Sequence, residues 1–209
     1  MKTLLFSDTH RHHHEYEITG TYDLAIHTGD FTSSSSEAEL DDFLLWYSEL
    51  PCTHKLLVAG NHDFFPFHRP DEFRQKCYTL NIVYLEDSYI TIEGIKFYGT
   101  PWVPNFYDWA FMESEKQLVN RYAKIPDDTQ VLLTHGPALH ILDEVSRGHV
   151  GSEALYDRIQ ELPNLRLHVF GHIHESRGIH VGDYTSINAA CMSPTYSLLE
   201  PHLIELELP

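Results

Sequence analysis

The stretch HKLLVAGNHD, residues 54–63, combines two features that decide the fold of this chain. Its apolar residues 56–59 are followed by a glycine and then by an asparagine, a histidine and an aspartate. A short apolar run is typical of a buried strand, and glycine with polar residues is typical of a loop. The sequence therefore predicts a buried strand that ends in a loop rich in chemically active side chains.

Four other segments repeat this pattern along the chain. They are LLFSDTH at 4–10, DLAIHTGD at 23–30, TQVLLTHGP at 129–137 and LRLHVFGHIH at 165–174. In open α/β sheets, ligands bind beyond the carboxyl ends of the strands. We therefore expect the polar residues that follow these strands to form one site.

Amphipathic segments lie between several of the strands and predict helices at 36–50, 114–124 and 152–162. In the first of them, apolar residues recur at helical spacing on one face. The serine cluster Ser33–Ser36 can cap this helix, and Glu37 and Glu39 suit its positive amino-terminal end.

Further strands are predicted in the second half of the chain. A β-hairpin is expected at 89–101, turning at Glu93 and Gly94, and late strands at 184–190 and 202–208. The alternation of strands and helices predicts an α/β fold with helices on the outer faces. The length of 209 residues favours one domain, which we assign to 1–209.

The composition limits the classes of function. The formal net charge is −17, with only 14 lysines and arginines, so we do not expect an extended nucleic acid as a partner. The three cysteines, Cys52, Cys77 and Cys191, form no metal-binding spacing and are expected to be reduced thiols. No secretory signal or membrane span is recognisable, and we expect no membrane association and a cytoplasmic protein.

The strand-end residues form a mixed set of metal-binding and acid–base groups. They are Asp8, His10, Asp30, Asn61, His62, His135, His172 and His174. Imidazole mixed with oxygen donors suits Mn, Fe, Zn or Ni better than Mg or Ca. Two such ions roughly 3.5–4 Å apart can stabilise an in-line displacement at phosphorus. Their positive charge would attract a phosphate to an otherwise acidic protein.

The motifs SDTH, GD, GNHD, THGP and GHIH, in this order, resemble those of the calcineurin-like metallophosphoesterase superfamily. The longer segments GIKFYGTPWVPNFYDWAFM, GHVGSEALYDRIQ, HVFGHIHESRG and SINAA are similar to its MPPED-type (metallophosphoesterase-domain) branch. The resemblance extends from residue 3 to about 206. It implies a single-domain, four-layer α/β/β/α sandwich with the site at the sandwich edge.

The resemblance also implies roles for individual residues. The first of two divalent metal ions would be held by Asp8, His10, Asp30 and His174. The second would be held by Asp30, Asn61, His135 and His172, with Asp30 bridging. His62 would act near the leaving group, as a general acid or as a group that stabilises the transition state. The implied reaction is hydrolysis of small phosphodiesters, with cyclic nucleotides as one candidate class, by attack of a metal-bound hydroxide.

Other functions remain open at this point. A phosphomonoesterase or a small nuclease would use the same residues. A binding or scaffold protein on a phosphoesterase fold is the non-enzymatic alternative, and such proteins lose metal ligands. All seven expected ligands and His62 are present here, which favours an enzyme. The oligomeric state is not set by the sequence.

Several residues have two interpretations. His12, His13 and His14 form a run that departs from the family pattern, and we interpret it as a solvated loop; alternatively Arg11, His12 or His13 lines the substrate entrance. His149 and Arg177 either bind substrate phosphate or have structural roles. Four aromatic residues either form a wall that contacts a base of the substrate or belong to the hydrophobic core. We expect at least two of the four to belong to the core: Trp102, Phe106, Trp109 and Phe111.

Overall fold

Two β-sheets face each other in the computed structural model, which describes residues 1–33 and 36–206. The first sheet has the strand order β15-β1-β2-β3-β4 and the second has the order β13-β14-β12-β9-β6-β5. Two small ribbons pair β7 with β8 and β10 with β11. The strands are β1 Lys2–Phe6, β2 Tyr22–His27, β3 Cys52–Leu57, β4 Val83–Tyr84, β5 Ser88–Ile92, β6 Ile95–Thr100, β7 Val103–Pro104, β8 Met112–Glu113, β9 Val131–Thr134, β10 Glu144–Val145, β11 Gly148–His149, β12 Leu167–Phe170, β13 Gly178–Val181, β14 Thr185–Asn188 and β15 His202–Glu205.

Side chains that alternate along each central strand build two separate cores. In β1, Leu5 points into the space between the sheets, whereas Leu4 and Phe6 point to the helices. In β9, Leu133 faces the inner core and Leu132 faces the outer one. Strands covered on both faces are apolar throughout rather than alternating. This is why the strand segments read as continuous apolar runs in the sequence.

Helices cover the outer face of each sheet and complete the predicted four layers. They are α1 Glu37–Glu49, α2 Phe64–His68, α3 Pro70–Thr79, α4 Glu115–Tyr122 and α5 Glu153–Gln160. The apolar residues of α1 and α3 pack over the first sheet, and those of α4 and α5 over the second. The predicted α/β/β/α fold is confirmed, and both sheets share the central core.

The predicted helices begin and end close to the expected residues. Ser36 is the N-cap of α1, where its Oγ accepts the Glu39 N–H at 3.2 Å. Ser152 caps α5 in the same way, accepting the Leu155 N–H at 3.1 Å. Helices α2 and α3 are not predicted by the sequence pattern; α3 buries only Phe73 and Cys77, so its apolar face is weakly marked.

The predicted hairpin is formed by β5 and β6. Glu93 and Gly94 both have positive φ, at 51° and 80°, as a tight two-residue hairpin turn requires. The late strands are β14 and β15. Residues 207 and 208 of the second predicted late strand lie outside the described residues, as do residues 34 and 35 of the serine cluster.

The topology places the strand ends that matter for function at one edge. Strands β1, β2 and β3 run parallel, and β12 runs parallel to both β9 and β14. Parallel neighbours end on the same side of their sheet, and the loops that follow them lie next to one another. Within residues 1–33 and 36–206, the protein has no helix with both the length and the apolarity needed to cross a membrane.

Candidate metal centre

Backbone hydrogen bonds join the loops that follow the parallel strands. The Asp8 N–H donates to the Gly29 carbonyl at 2.8 Å, and the His10 N–H donates to the Asp30 carbonyl at 3.0 Å. Across the sandwich, the His172 N–H donates to the Asp8 carboxylate, 2.9 Å from Oδ2. The site is therefore a direct contact between the loops of the two sheets.

The candidate ligands form two adjoining groups, in each of which the donor atoms lie within 4.8 Å of one another, and a third group of the same kind joins His10 and Asp30 to His62. The first group contains Asp8, His10 and His174, and the second contains Asp30, His135 and His172. His174 Nε2 lies 3.4 Å from an Asp8 oxygen, and His135 Nε2 lies 3.4 Å from Oδ2 of Asp30. The structure thus brings six of the seven predicted ligands into two groups.

Asp30 connects the two groups, and the seventh predicted ligand lies beside it. Oδ2 of Asp30 is 3.9 Å from His10 Nε2 in the first group and 3.4 Å from His135 Nε2 in the second. The Oδ1 atom of Asn61 lies 2.9 Å from the same His135 nitrogen. A carboxylate between two sets of donors has the position that a bridging ligand needs.

Backbone carbonyls orient two of the imidazole rings. His135 Nδ1 lies 2.9 Å from the Thr28 carbonyl, and His174 Nδ1 lies 3.3 Å from the Ser193 carbonyl. Metal-binding histidines usually donate their second ring N–H to a carbonyl or a carboxylate in this way. Both rings consequently turn Nε2 toward the carboxylates. This orientation fits a metal centre.

The electrostatics of the site also fit bound cations. Asp8 and Asp30 are buried, and within the described residues their ion-pair partners are histidines rather than lysine or arginine. Burial alone would raise the pKa of both carboxyls, but the neighbouring imidazoles hold both pKa values below the usual range. Burial would lower the pKa of His135, but the charge of Asp30 outweighs it and raises that pKa to about 9. Without a metal, a protonated imidazole supplies the positive charge that buried carboxylates need.

The backbone is strained at four of the candidate ligands. Asp8, His10, Asp30 and His172 have positive φ values of 54°, 40°, 56° and 69°. This left-handed region is costly for residues with a Cβ, and such strain concentrates at functional sites. These left-handed conformations direct the four side chains into one small volume.

Comparison with known proteins identifies the family. The model of the calcineurin-like phosphoesterase family matches residues 1–176. The chain belongs to the calcineurin-like phosphoesterase family. The prediction made from the five strand-end motifs is confirmed.

Curated relatives show the branch of this family. Human metallophosphoesterase domain-containing protein 1 is 34% identical over 212 residues, and the match covers 90% of this chain and 65% of that protein. A UPF0046 protein of Caenorhabditis elegans is 32% identical, covering 91% of this chain and 69% of that protein. The predicted resemblance to the MPPED-type branch is confirmed. The chain spans about two thirds of the length of these relatives.

Solved structures show the same fold. Phosphopantetheinyl hydrolase from Mycobacterium tuberculosis has a TM-score of 0.64 at 14% identity, covering 93% of this chain and 90% of that one. The protein TT1561 of Thermus thermophilus also has a TM-score of 0.64 at 14% identity, covering 97% of both chains. At these identities the likeness concerns the fold alone.

A cavity of about 230 Å³ opens above the candidate metal centre. Its lining residues are His10, Asp30, Asn61, His62, Phe106, Trp109, His172, His174, Glu175, Pro194 and Tyr196. The Trp109 ring packs against His62 at 4.7 Å between centroids, and the Tyr196 ring lies 5.5 Å from His10. Sequence reasoning missed Tyr196, Glu175 and Pro194. Glu175 follows the GHIH motif directly, which is a signal that could have found it.

Asp63 is a positioning residue that sequence reasoning also missed. This buried carboxylate accepts the backbone N–H groups of Asp30 at 2.8 Å, Gly60 at 2.7 Å and Thr32 at 3.0 Å. Burial and the nearby charge of Asp30 raise its pKa to about 7. Its place as the last residue of the GNHD motif was the available signal. Asp63 therefore joins the loop that carries Asp30 to the loop that carries Asn61.

The predicted substrate-binding residues lie elsewhere in the described structure. Arg11 is exposed and lies 3.6 Å from Glu39. Arg177 donates to the backbone carbonyls of residues 190 and 200. His149 pairs with the buried Asp143 at 2.6 Å. None of the three is among the described residues that line the cavity, so their roles toward substrate stay predictions.

The four aromatic residues divide into two pairs. Trp102 and Phe111 are buried in the outer core, as expected for at least two of them. Phe106 and Trp109 line the cavity, and contact of their rings with a base stays a prediction. The solvated-loop interpretation of the histidine run holds for His12 and His14, which are exposed, but it is wrong for His13. The His13 side chain is 1% exposed because it packs against the aromatic side of α1.

Gly60 gives a prediction about the shape of the centre. A Cβ at this position would lie 2.2 Å from Oδ1 of Asp30 and 2.4 Å from the backbone nitrogen of Asp30. Gly60→Ala must therefore displace the central carboxylate, and we expect hydrolytic activity to fall by about 10²-fold, as a displacement near 1 Å can cause. Steady-state kinetics with bound metal measured in parallel test this. Gly182→Ala, whose Cβ meets nothing closer than 3.4 Å, is the control and should keep wild-type activity.

Proposed function

We propose that this chain is a di-metal phosphoesterase that hydrolyses small phosphodiesters. The observation that supports this most directly is the position of Asp30 between two groups of buried and half-buried donors. The proposed ligands of the first ion are Asp8, His10, Asp30 and His174, and those of the second are Asp30, Asn61, His135 and His172. The mixture of imidazole and oxygen donors suits Mn, Fe, Zn or Ni.

The bound ions would neutralise charge on the phosphoryl oxygens and activate a water for in-line attack. The chain's own residues would position the reacting groups. His62 lines the cavity and is not among the proposed ligands, so a phosphate held there would meet its imidazole. The aromatic rings of Phe106 and Trp109 would exclude water from one wall of the site.

His62 is proposed as the general acid. Its side chain is 25% exposed, its Nε2 lies 4.0 Å from Oδ2 of Asp30, and its backbone N–H donates to Oδ1 of Asp30 at 2.8 Å. It is thus fixed to the centre through its backbone while its ring reaches the cavity. A ring in this position can give a proton to the departing oxygen of the ester.

A second cavity supports diesters over monoesters as substrates. It has a volume of about 450 Å³ and shares the lining residues Phe106 and His172 with the cavity above the metal centre. Arg147 also lines it and is exposed. A phosphodiester has organic groups on both sides of phosphorus, and two adjoining cavities can hold one group each. Nucleotide diesters, including cyclic nucleotides, fit because Phe106 offers a ring on which a base can stack.

The proposed partners and location follow from charge and cysteine state. The net charge of −17 opposes binding of an extended nucleic acid, which supports a small phosphoester as substrate. The three cysteines are free and buried, which supports a reducing, cytoplasmic location.

A paired hydrolysis assay tests the proposed function. The protein is stripped of metal and reloaded with Mn²⁺, and initial rates are measured with bis(p-nitrophenyl) phosphate and with p-nitrophenyl phosphate. We expect the diester to have the higher kcat/KM. A higher value for the monoester would instead indicate a phosphatase, and failure to turn over either ester with two ions bound would favour a binding protein.

A further inference from the structure

We propose that His13, His14 and Asp42 form an additional metal site that binds one divalent transition-metal ion of the zinc or nickel type. The site uses the histidine run that the proposed hydrolytic function leaves unexplained. His13 and His14 lie in the short 3₁₀ turn His13–Glu15, and Asp42 lies on α1. None of the three lines the cavity above the metal centre within the described residues.

The donor atoms of the three side chains lie close together. His13 Nε2 lies 3.1 Å from one oxygen of Asp42, and His14 Nε2 lies 3.0 Å from the other. The three donor atoms all lie within 4.8 Å of one another. Zinc with donors at about 2.0–2.1 Å places neighbouring ligand atoms about 3.3 Å apart in a tetrahedral site. Small side-chain movements would therefore suffice to enclose an ion.

The packing of α1 holds one donor in place and leaves the others accessible. The His13 ring lies 5.5 Å from the Phe43 ring and 5.2 Å from the Trp46 ring, and its side chain is 1% exposed. His14 and Asp42 have side chains that are 59% and 55% exposed. A site with one fixed and two accessible ligands has both preorganisation and an entry path for the ion.

The donor set indicates the class of ion. Two imidazoles and one carboxylate suit Zn, Ni or Cu and are unsuited to Mg or Ca. With three protein ligands, the remaining coordination positions would be filled by water. His13 Nδ1 has no hydrogen-bond partner among the described residues. Because such a bond strengthens a histidine ligand, we expect an affinity about 10–100-fold below that of a site that has one.

Stabilisation of the fold by ion pairs between the two histidines and Asp42 is a weaker explanation for this geometry. Exposed pairs typically contribute about 0.2–1 kcal/mol, so a second imidazole on the same carboxylate would add little to the stability of the fold. An ion at this point would instead join the turn that follows the Asp8–His10 loop to α1. The proposed site is independent of the proposed hydrolytic function.

Equilibrium dialysis against Zn²⁺ tests the site. The wild type is expected to bind one equivalent more than Asp42→Asn or His14→Ala at the same free Zn²⁺, and the Kd of that equivalent should rise at least about tenfold in either variant. The matched controls are Asp41→Asn, which removes the neighbouring carboxylate of α1, and His12→Ala, which removes the adjacent exposed histidine. Both controls should keep the additional equivalent.

A second background separates this site from the metal centre. In an Asp30→Asn protein, where the central carboxylate is lost, Zn²⁺ should still raise the Tm, and adding Asp42→Asn should reduce that rise. Equal Zn²⁺ stoichiometry in the wild type and Asp42→Asn would overturn the proposal, as would loss of the same equivalent in Asp41→Asn. Failure of hydrolysis in the paired ester assay would leave these outcomes unchanged.

Discussion

Asp30→Asn is expected to lower kcat/KM by at least about 10³-fold and to reduce the amount of tightly bound metal. The carboxylate lies within 3.4–4.0 Å of the Nε2 atoms of His135, His10 and His62. The amide has a similar shape but no negative charge, so it cannot balance two adjacent cations. A loss of about 10³-fold in rate corresponds to about 4 kcal/mol of lost transition-state stabilisation.

Kinetics with Mn²⁺ and metal analysis after desalting measure this effect. Asp143→Asn is the matched control, because Asp143 is equally buried but belongs to none of the candidate metal groups among the described residues. The control should retain both ions even if its own loop is less stable. An Asp30→Asn protein with wild-type activity and two bound ions would contradict the bridging role.

The central strands and three of the five described helices could be predicted because local features specify them. Buried parallel strands are apolar on both faces, and each of the five predicted strands with a polar end is followed by a loop that contains glycine or polar residues. Helices α1 and α5 begin at serines that act as N-caps. Helix α3 was missed because its register shows few apolar residues, so that its position depends on tertiary contacts such as the stacking of Phe73 on Phe31.

The conformations that assemble the site could not be predicted from local sequence. Nothing in the letters of SDTH indicates that Asp8 and His10 adopt left-handed backbone angles. Those angles are maintained by hydrogen bonds to residues that are distant in the sequence, such as the bond from the Asp8 N–H to the Gly29 carbonyl. The order of the motifs could therefore indicate which residues lie together in the site. The orientation of their side chains depends on the three-dimensional contacts.

Residues outside the motifs show the same limit more strongly. Arg177 lies three positions after a predicted ligand, and this proximity suggested a phosphate-binding role. In the structure its guanidinium donates to the carbonyls of Ala190 and Glu200, a contact between segments distant in sequence. Tyr196, by contrast, lies in no recognisable motif and yet lines the cavity. Its position depends on the path of the loop after β14, which sequence periodicity does not determine.

His62→Ala is expected to lower kcat by about 10²–10⁴-fold, the range for loss of a general acid, while leaving metal content close to that of the wild type. His62 lines the cavity, and the ring of Trp109 holds it in place at 4.7 Å between centroids. Its backbone N–H, which binds Asp30, remains after the substitution to alanine. The variant should therefore retain the geometry of the centre while losing the proton donor.

The nature of the leaving group distinguishes a proton donor from a group that only stabilises charge in the transition state. p-Nitrophenolate is stable as an anion and needs little protonation as it departs, whereas the alkoxide released from a cyclic nucleotide needs a proton. If His62 is the general acid, His62→Ala should reduce turnover of cyclic nucleotides far more than turnover of bis(p-nitrophenyl) phosphate. An equal loss with both substrates would contradict proton donation and would assign His62 to charge stabilisation, because that interaction with the phosphoryl oxygens does not depend on the leaving group.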